Sequence, residues 1–270
     1  MGFKFRVGAA MTPGAIFTEL KKELGGVNPY MAIVDSSVRI FLDDAKTHVS
    51  PSKFMAEKAK LLGYGRLYLD QLELERAKQF VYISHVAFIN SKAEVACEKI
   101  RKQPLVRKPV SAVEGDYLRQ AIRVIHASRN GSSTIMNDDL AMGELVGIGD
   151  VAIIDYYRKL RNENFHGSKV NTAYPFDQTQ ISHIVSRYGV APSQSGSLNS
   201  QDMILLSKVW QQVIFDLCVK SLHPENDVLP VVAKRYKGIT GDRRAKGITQ
   251  HLQQEYLLDS YSAHELFLKM

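Results

Sequence analysis

Cysteine is almost absent from this chain: Cys97 and Cys218 are the only two in 270 residues. Both fall in apolar helical patterns, and no Cys-His cluster at ligand spacing accompanies them. That argues against a disulfide framework and against a zinc site, and predicts buried, reduced thiols in a cytoplasmic protein. No uninterrupted apolar run approaches the ~18 residues of a membrane span. The opening MGFKFRVGAAMTPG also lacks an adequate hydrophobic signal core. No membrane partner is therefore expected. Internal repeats and sizeable low-complexity segments are missing too. Tryptophan occurs once, as Trp210, and reads most simply as core.

What is present is ordinary for a globular protein: 45% hydrophobic and 23% charged residues. The formal net charge is +7 and the pI about 9.2, a mild bias toward acidic partners such as nucleic acid. Alone, that bias is weak.

The hydrophobic pattern is helical along the whole chain. Ile16, Phe17 and Leu20 suggest a short helix ending at Gly25-Gly26. Asn28 then reads as the N-cap of a second helix with Pro29 in its first turn. Its inward face is expected to carry Ile33, Val34, Val38, Phe41 and Leu42. Pro51 opens another helix, with Phe54, Ala59, Leu61 and Leu62 inward. From Arg66 to Arg101 the pattern is long and helical, with Leu67, Leu74, Ala77, Val81, Phe88, Val95 and Ile100 on the core side. Its stretch FVYISHVAFI is apolar and β-branched enough for a buried strand, but helical flanks without turn residues favour helix. His85 in that run reads as a core histidine. Residues 101–115 form a basic connector holding Pro104 and Pro109. Helices follow from Asp116 to Ser128, closed by Asn130-Gly131, from Asp177 to Tyr188, and from Ser200 to Leu222. A short helix capped by Asn137-Asp138-Asp139 precedes residue 148. Met203, Leu206, Trp210, Val213, Ile214 and Leu217 trace one face of the Ser200–Leu222 helix.

The stretch from 148 to 170, IGDVAIIDYYRKLRNENFHGSKV, concentrates the chemistry. Ile153, Ile154, Tyr157, Leu160 and Phe165 give it an apolar side, and Gly167 stands just past its end. Near that end come Arg161, Asn162 and His166. Asn162 and His166 are four apart and share a helix face, whereas Arg161 and His166 diverge by about 140°. The two can surround one ligand if the helix bends there, or if a second copy supplies the other half. Arg keeps its proton and its planar fork matches phosphate oxygens. His titrates near pH 6.5, so it can take a proton from a 2′-OH or give one to a leaving 5′-oxygen. Asn162 can orient the ring or hold the phosphate. Such chemistry cuts RNA, leaves DNA intact, and calls for no metal and no cofactor. A surface helix end with a capping His is the structural alternative.

The order Arg-Asn-x3-His resembles the motif of the HEPN superfamily (higher eukaryotes and prokaryotes nucleotide-binding domain). The resemblance implies an all-α fold, with a HEPN-like helical bundle over residues 66–222. An amino-terminal helical segment, 1–65, and a basic helical tail, 223–270, would flank it. It also implies an endoribonuclease that leaves a 2′,3′-cyclic phosphate and a 5′-OH, in a homodimer with the motif helix at the interface. Arg161, His166 and Asn162 are then the catalytic residues. Arg158, Lys159 and Lys169 around the motif would bind RNA, as would Arg243, Arg244 and Lys246 in the tail. Service in bacterial defence or a toxin–antitoxin system, with an antitoxin or inhibitor protein as partner, follows from analogy alone. Two rival readings are a catalytically silent HEPN module that binds nucleotide or protein, and a DNA-binding regulator that uses the tail.

Overall fold

The computed structural model describes residues 11–65, 74–103, 115–130, 138–166 and 172–270. Among them are eleven α-helices, one π-helical turn and no strand, so the protein is all-α. In chain order the helices are α1 (Pro13–Lys46), α2 (Pro51–Leu61), α3 (Leu74–Arg101), α4 (Tyr117–Arg129), α5 (Asp138–Leu145) and α6 (Ile148–His166). There follow α7 (Gln178–Tyr188), α8 (Ser200–Lys220), the π-turn Pro224–Val228, α9 (Leu229–Arg235), α10 (Gly241–Tyr256) and α11 (Ser260–Leu268). No helix among the described residues is long and apolar enough to cross a membrane.

The chain divides into two compact units. One comprises Met1–Lys22, Ser91–Val151 and Trp210–Met270; the other comprises Glu23–Asn90 and Ala152–Val209. These two units interleave along the chain, a division different in kind from the consecutive segments 1–65, 66–222 and 223–270 expected from the sequence. Helices α1, α3, α6 and α8 each contribute one part to each unit.

In the first unit, α4 has the clearest amphipathic pattern. Asp116 caps its amino end by accepting from the Arg119 backbone N–H at 3.0 Å, and Leu118, Ala121, Ile122 and Ile125 are buried at helical spacing. At the other end the buried His126 ring lies 3.0 Å from the Glu144 carboxylate of α5. The Lys220 ammonium donates to the terminal carbonyls of Glu144 and Leu145, a cation on carbonyls that the helix itself leaves unpaired. Both cysteines are buried free thiols, and burial pushes the Cys218 thiol up to about 12. The residues after α8 build their own apolar cluster from Leu222, Val228, Val232, Ile248, Leu252, Tyr256, Ala263 and Leu266.

In the second unit, one expectation fails at once. The Gly25-Gly26 break and the Asn28 cap do not exist: α1 runs unbroken through both glycines and Pro29. Proline in a helix removes one N–H and presses its ring on the carbonyl four residues back. Here that residue is Gly25, exposed and without a side chain, so water can satisfy the freed carbonyl. The inward face was also misassigned. Val38, Leu42 and Ala45 pack with Met55 and Phe54 of α2, while Ile33, Val34 and Phe41 stay exposed. Leu61 and Leu62, expected inward on α2, are exposed as well. In α3, Val95 points to solvent; Tyr82, Ile83, Val86, Ile89, Ala93, Ala96, Cys97 and Ile100 carry the burial across its two parts. The FVYISHVAFI stretch is helical, and His85 is partly buried, with its imidazole held below the ordinary range chiefly by that burial. Expectations for Leu67, for Asn137 and Gly131, and for the prolines of the basic connector fall outside the described residues. So do those for the side chains of Leu74 and Ala77.

Candidate functional site

The site is the carboxyl-terminal end of α6, and the second unit holds that helix firmly up to the point where the motif begins. Ile153, Ile154, Tyr156, Tyr157 and Leu160 are all buried. Tyr157 donates its hydroxyl to Asp202 Oδ1 at 2.6 Å. Asp202 is itself fully buried, and also accepts the backbone N–H groups of Ser193 and Asn199, each at 2.8 Å. Tyr156 donates to the Ser193 carbonyl at 2.7 Å, and its ring packs edge-on against Tyr174 and Phe176. Gln79 of α3 grips the same segment by bonding both the N–H and the carbonyl of Leu198 at 3.0 Å. Burial, then the Asp202 charge, raises the Tyr156 and Tyr157 hydroxyls well above their ordinary range, so both stay protonated donors.

Past Leu160 the helix emerges. Arg161 is half-buried and Asn162 exposed; Arg161 Nε donates to Asn162 Oδ1 at 3.1 Å. Asn164 folds its side-chain amide back onto the Leu160 carbonyl at 2.8 Å. Glu163 accepts a hydrogen bond from the Thr172 hydroxyl, which ties the helix to the chain that follows it. His166 is the last residue of α6; its side chain, Gly167 and Lys169 lie outside the described residues.

Two expectations for this helix need correction. Arg158 is only 7% exposed, because it lies on the part of α6 enclosed on nearly all sides, so it offers no free cation to RNA. Phe165, expected inward, is 49% exposed. It pairs instead with Phe80 of α3, ring centroids 6.3 Å apart and planes at 60°. Lys159 is exposed as expected.

The tail cations belong to the other unit. Arg243 and Lys246 are exposed on the first turns of α10, and Arg244 is partly buried, with its Nε enclosed and lacking a hydrogen-bond partner. Lys234 and Arg235 end α9, and Lys237 lies in the turn between the helices. The helix pair is joined by the Tyr236 hydroxyl donating to the Gly247 carbonyl at 3.0 Å.

Sequence reasoning passed over Asp202 and Phe80. The signal for Asp202 was its place two residues into α8 beside Ser200 and Asn199, where a carboxylate meets unpaired amides. Among the described residues, no group of three His, Cys, Asp or Glu side chains has the arrangement to hold a metal ion. The chain matches no family model, no curated protein and no solved structure.

Proposed function

We propose that the chain is a metal-independent endoribonuclease of the HEPN type, with Arg161, Asn162 and His166 as its catalytic residues. The observation that carries this reading is the last turn of α6. There a guanidinium and an amide touch each other at 3.1 Å, past the stretch of the helix that buried hydrogen bonds pin, where Asn162, Asn164 and Phe165 are exposed. In the proposed reaction His166 takes the proton of the 2′-OH. The oxygen attacks the adjacent phosphorus, the bond from phosphorus to the 5′-oxygen breaks as that oxygen takes a proton from an imidazolium, and a 2′,3′-cyclic phosphate remains. Arg161 holds the charge that gathers on the phosphorane oxygens, and Asn162 orients phosphate or imidazole.

Because Arg161 and His166 diverge by about 140° on a regular helix, the proposed active unit is a two-fold dimer in which each Arg faces the other chain's His. Role in defence or in a toxin–antitoxin pair remains part of the proposal by analogy. The test is incubation of the purified protein with total RNA and with DNA in EDTA. RNA cleavage to cyclic-phosphate ends, with DNA untouched, is the expected result. Mixing inactive His166→Ala and Arg161→Ala proteins after subunit exchange should restore part of the activity, since one composite site stays intact. A monomer that cuts RNA contradicts the dimer.

A second reading has one observation in its favour: Lys234, Arg235, Lys237, Arg243 and Lys246 all lie exposed on a turn-linked helix pair. Such a surface suits phosphates of RNA or of duplex DNA. Neutralising Arg243 and Lys246 should weaken RNA binding and flatten its salt dependence while cleavage at saturating RNA persists. DNA retention without any cleavage selects a DNA-binding regulator instead.

A further inference from the structure

We infer that Phe80 and Phe165 form a stacking platform for one unpaired nucleobase, so that the substrate is single-stranded or looped RNA; this rests on the ribonuclease reading of the neighbouring motif. The pair is out of place as core. Phe80 is 61% and Phe165 49% exposed, although their rings meet at a centroid distance of 6.3 Å. With planes inclined by 60°, one ring touches the other with its edge and keeps face area free.

The position decides what such rings face. On a regular helix viewed down its axis from position 161, position 165 lies about 40° round, 162 about 100° and 166 about 140°. The aromatic ring therefore projects within the arc that the motif spans. Arg161 and Phe165 are also four apart, so their Cβ atoms are roughly 5–6 Å from one another. A phosphate held by Arg161 and Asn162 brings the base of the same or the next nucleotide to that distance across the ribose. Phe80 extends the surface from a second helix, and Gln79 beside it is locked to the Leu198 backbone on both sides, so that part of α3 is fixed. Bases within a duplex present only their edges, whereas an unpaired base presents a π-face, which stacks on an aromatic ring without regard to sequence. Strand state, more than sequence, is then what this site selects.

The experiment uses the full chain and a short 2′-O-methyl RNA carrying one 2-aminopurine, a probe that lacks the attacking hydroxyl and so reports binding without cleavage. Stacking quenches its fluorescence. The wild-type protein should quench the single strand and bind it more tightly than a duplex of the same sequence. Phe165→Leu and Phe80→Leu should each remove most of the quench and weaken single-strand binding on the order of ten-fold or more, with duplex binding unchanged. Phe165→Tyr, which keeps a π-face, should bind as the wild type does. Phe80→Leu, on another helix, carries the test by itself where Phe165→Leu alters the circular dichroism. Unchanged quench and affinity in the Leu variants, or equal binding of single strand and duplex, overturns the platform. So does a change of oligomeric state with RNA binding intact, which would make the rings a protein contact. The two readings fail separately. Ring-dependent binding without cleavage of natural RNA sinks the ribonuclease alone, and cleavage indifferent to both rings sinks the platform alone.

Discussion

Replacing Asp202 should be the most damaging single change to the unit that carries the motif. Its two carboxylate oxygens accept from the Tyr157 hydroxyl and from the backbone N–H groups of Ser193 and Asn199. The residue is fully buried, so no water replaces it without rearrangement. Asp202→Ala leaves three donors unpaired, two of them backbone. An abandoned buried donor costs roughly 1–3 kcal/mol, and breaking a buried charged network about 3–5 kcal/mol in total. At roughly 2–4 °C per kcal/mol for a chain of this size, the melting temperature should fall by about 10 °C. Asp202→Asn keeps one acceptor oxygen but turns an N–H toward a donor, so it should cost less than Asp202→Ala but still more than ~1 kcal/mol. Differential scanning calorimetry on these variants and on Tyr157→Phe completes a cycle. Tyr157→Phe alone should cost about 1 kcal/mol, and clearly less on top of Asp202→Ala, because its partner is already gone. If Asp202→Ala melts within a degree of the wild type, or the two changes simply add, the anchoring role assigned to this carboxylate is refuted.

Other outcomes follow from single features. Gly25 and Gly26 are helical, exposed, and have nothing within 4 Å of an added Cβ. Gly25→Ala and Gly26→Ala should each stabilise by about 0.5–1 kcal/mol in urea unfolding; destabilisation would show that the helix is interrupted there. The imidazoles of His85 and His251 lie below their ordinary value, first through burial, with Arg235 adding to the effect at His251. A folded value below the unfolded one means that the unfolded chain takes up the proton first. Stability is therefore full above about pH 6.5 and declines as the pH drops through the window beneath it. Unfolding series between pH 7.5 and 5 should show that decline, and His85→Gln with His251→Gln should flatten it; an unchanged slope would assign the acid sensitivity to other groups.

Much of the fold was legible because burial follows periodicity where a helix is covered on one side. Every face residue expected on α8 is buried, including Trp210. The helix expected from Asp177 to Tyr188 is α7, and Asp177 caps it through a reciprocal bond with Gln180. Legibility failed where helices are covered on nearly all sides or on almost none. Between residues 151 and 160, α6 is so enclosed that Arg158 is buried with the apolar residues, and no spacing rule separates it from Lys159. In α1 the opposite holds: Tyr30, Ile33 and Ile40 look like core but stay exposed, since periodicity shows an apolar side without showing what covers it. Gly25-Gly26 and Pro29 read as a break because local propensity opposes helix there, yet the cost is a few kcal/mol spread over a 34-residue helix. The candidate site was half legible. Arg161 and Asn162 could be named from their order in the chain. Phe80 joins them only through tertiary packing, from 85 positions before Phe165.

The central claim is that Arg161 and His166 perform RNA cleavage, and the direct measurement is the cleavage rate of a defined single-stranded RNA by His166→Ala and Arg161→Ala proteins in EDTA. Each should lose ~10²-fold or more, the scale of a missing acid–base or electrostatic group. Circular dichroism and melting temperature should stay near wild type, because Asn162, Asn164 and Phe165 in the same stretch are exposed. Cleavage within a few-fold of wild type in either folded variant, or activity lost only in step with helicity, would contradict the account.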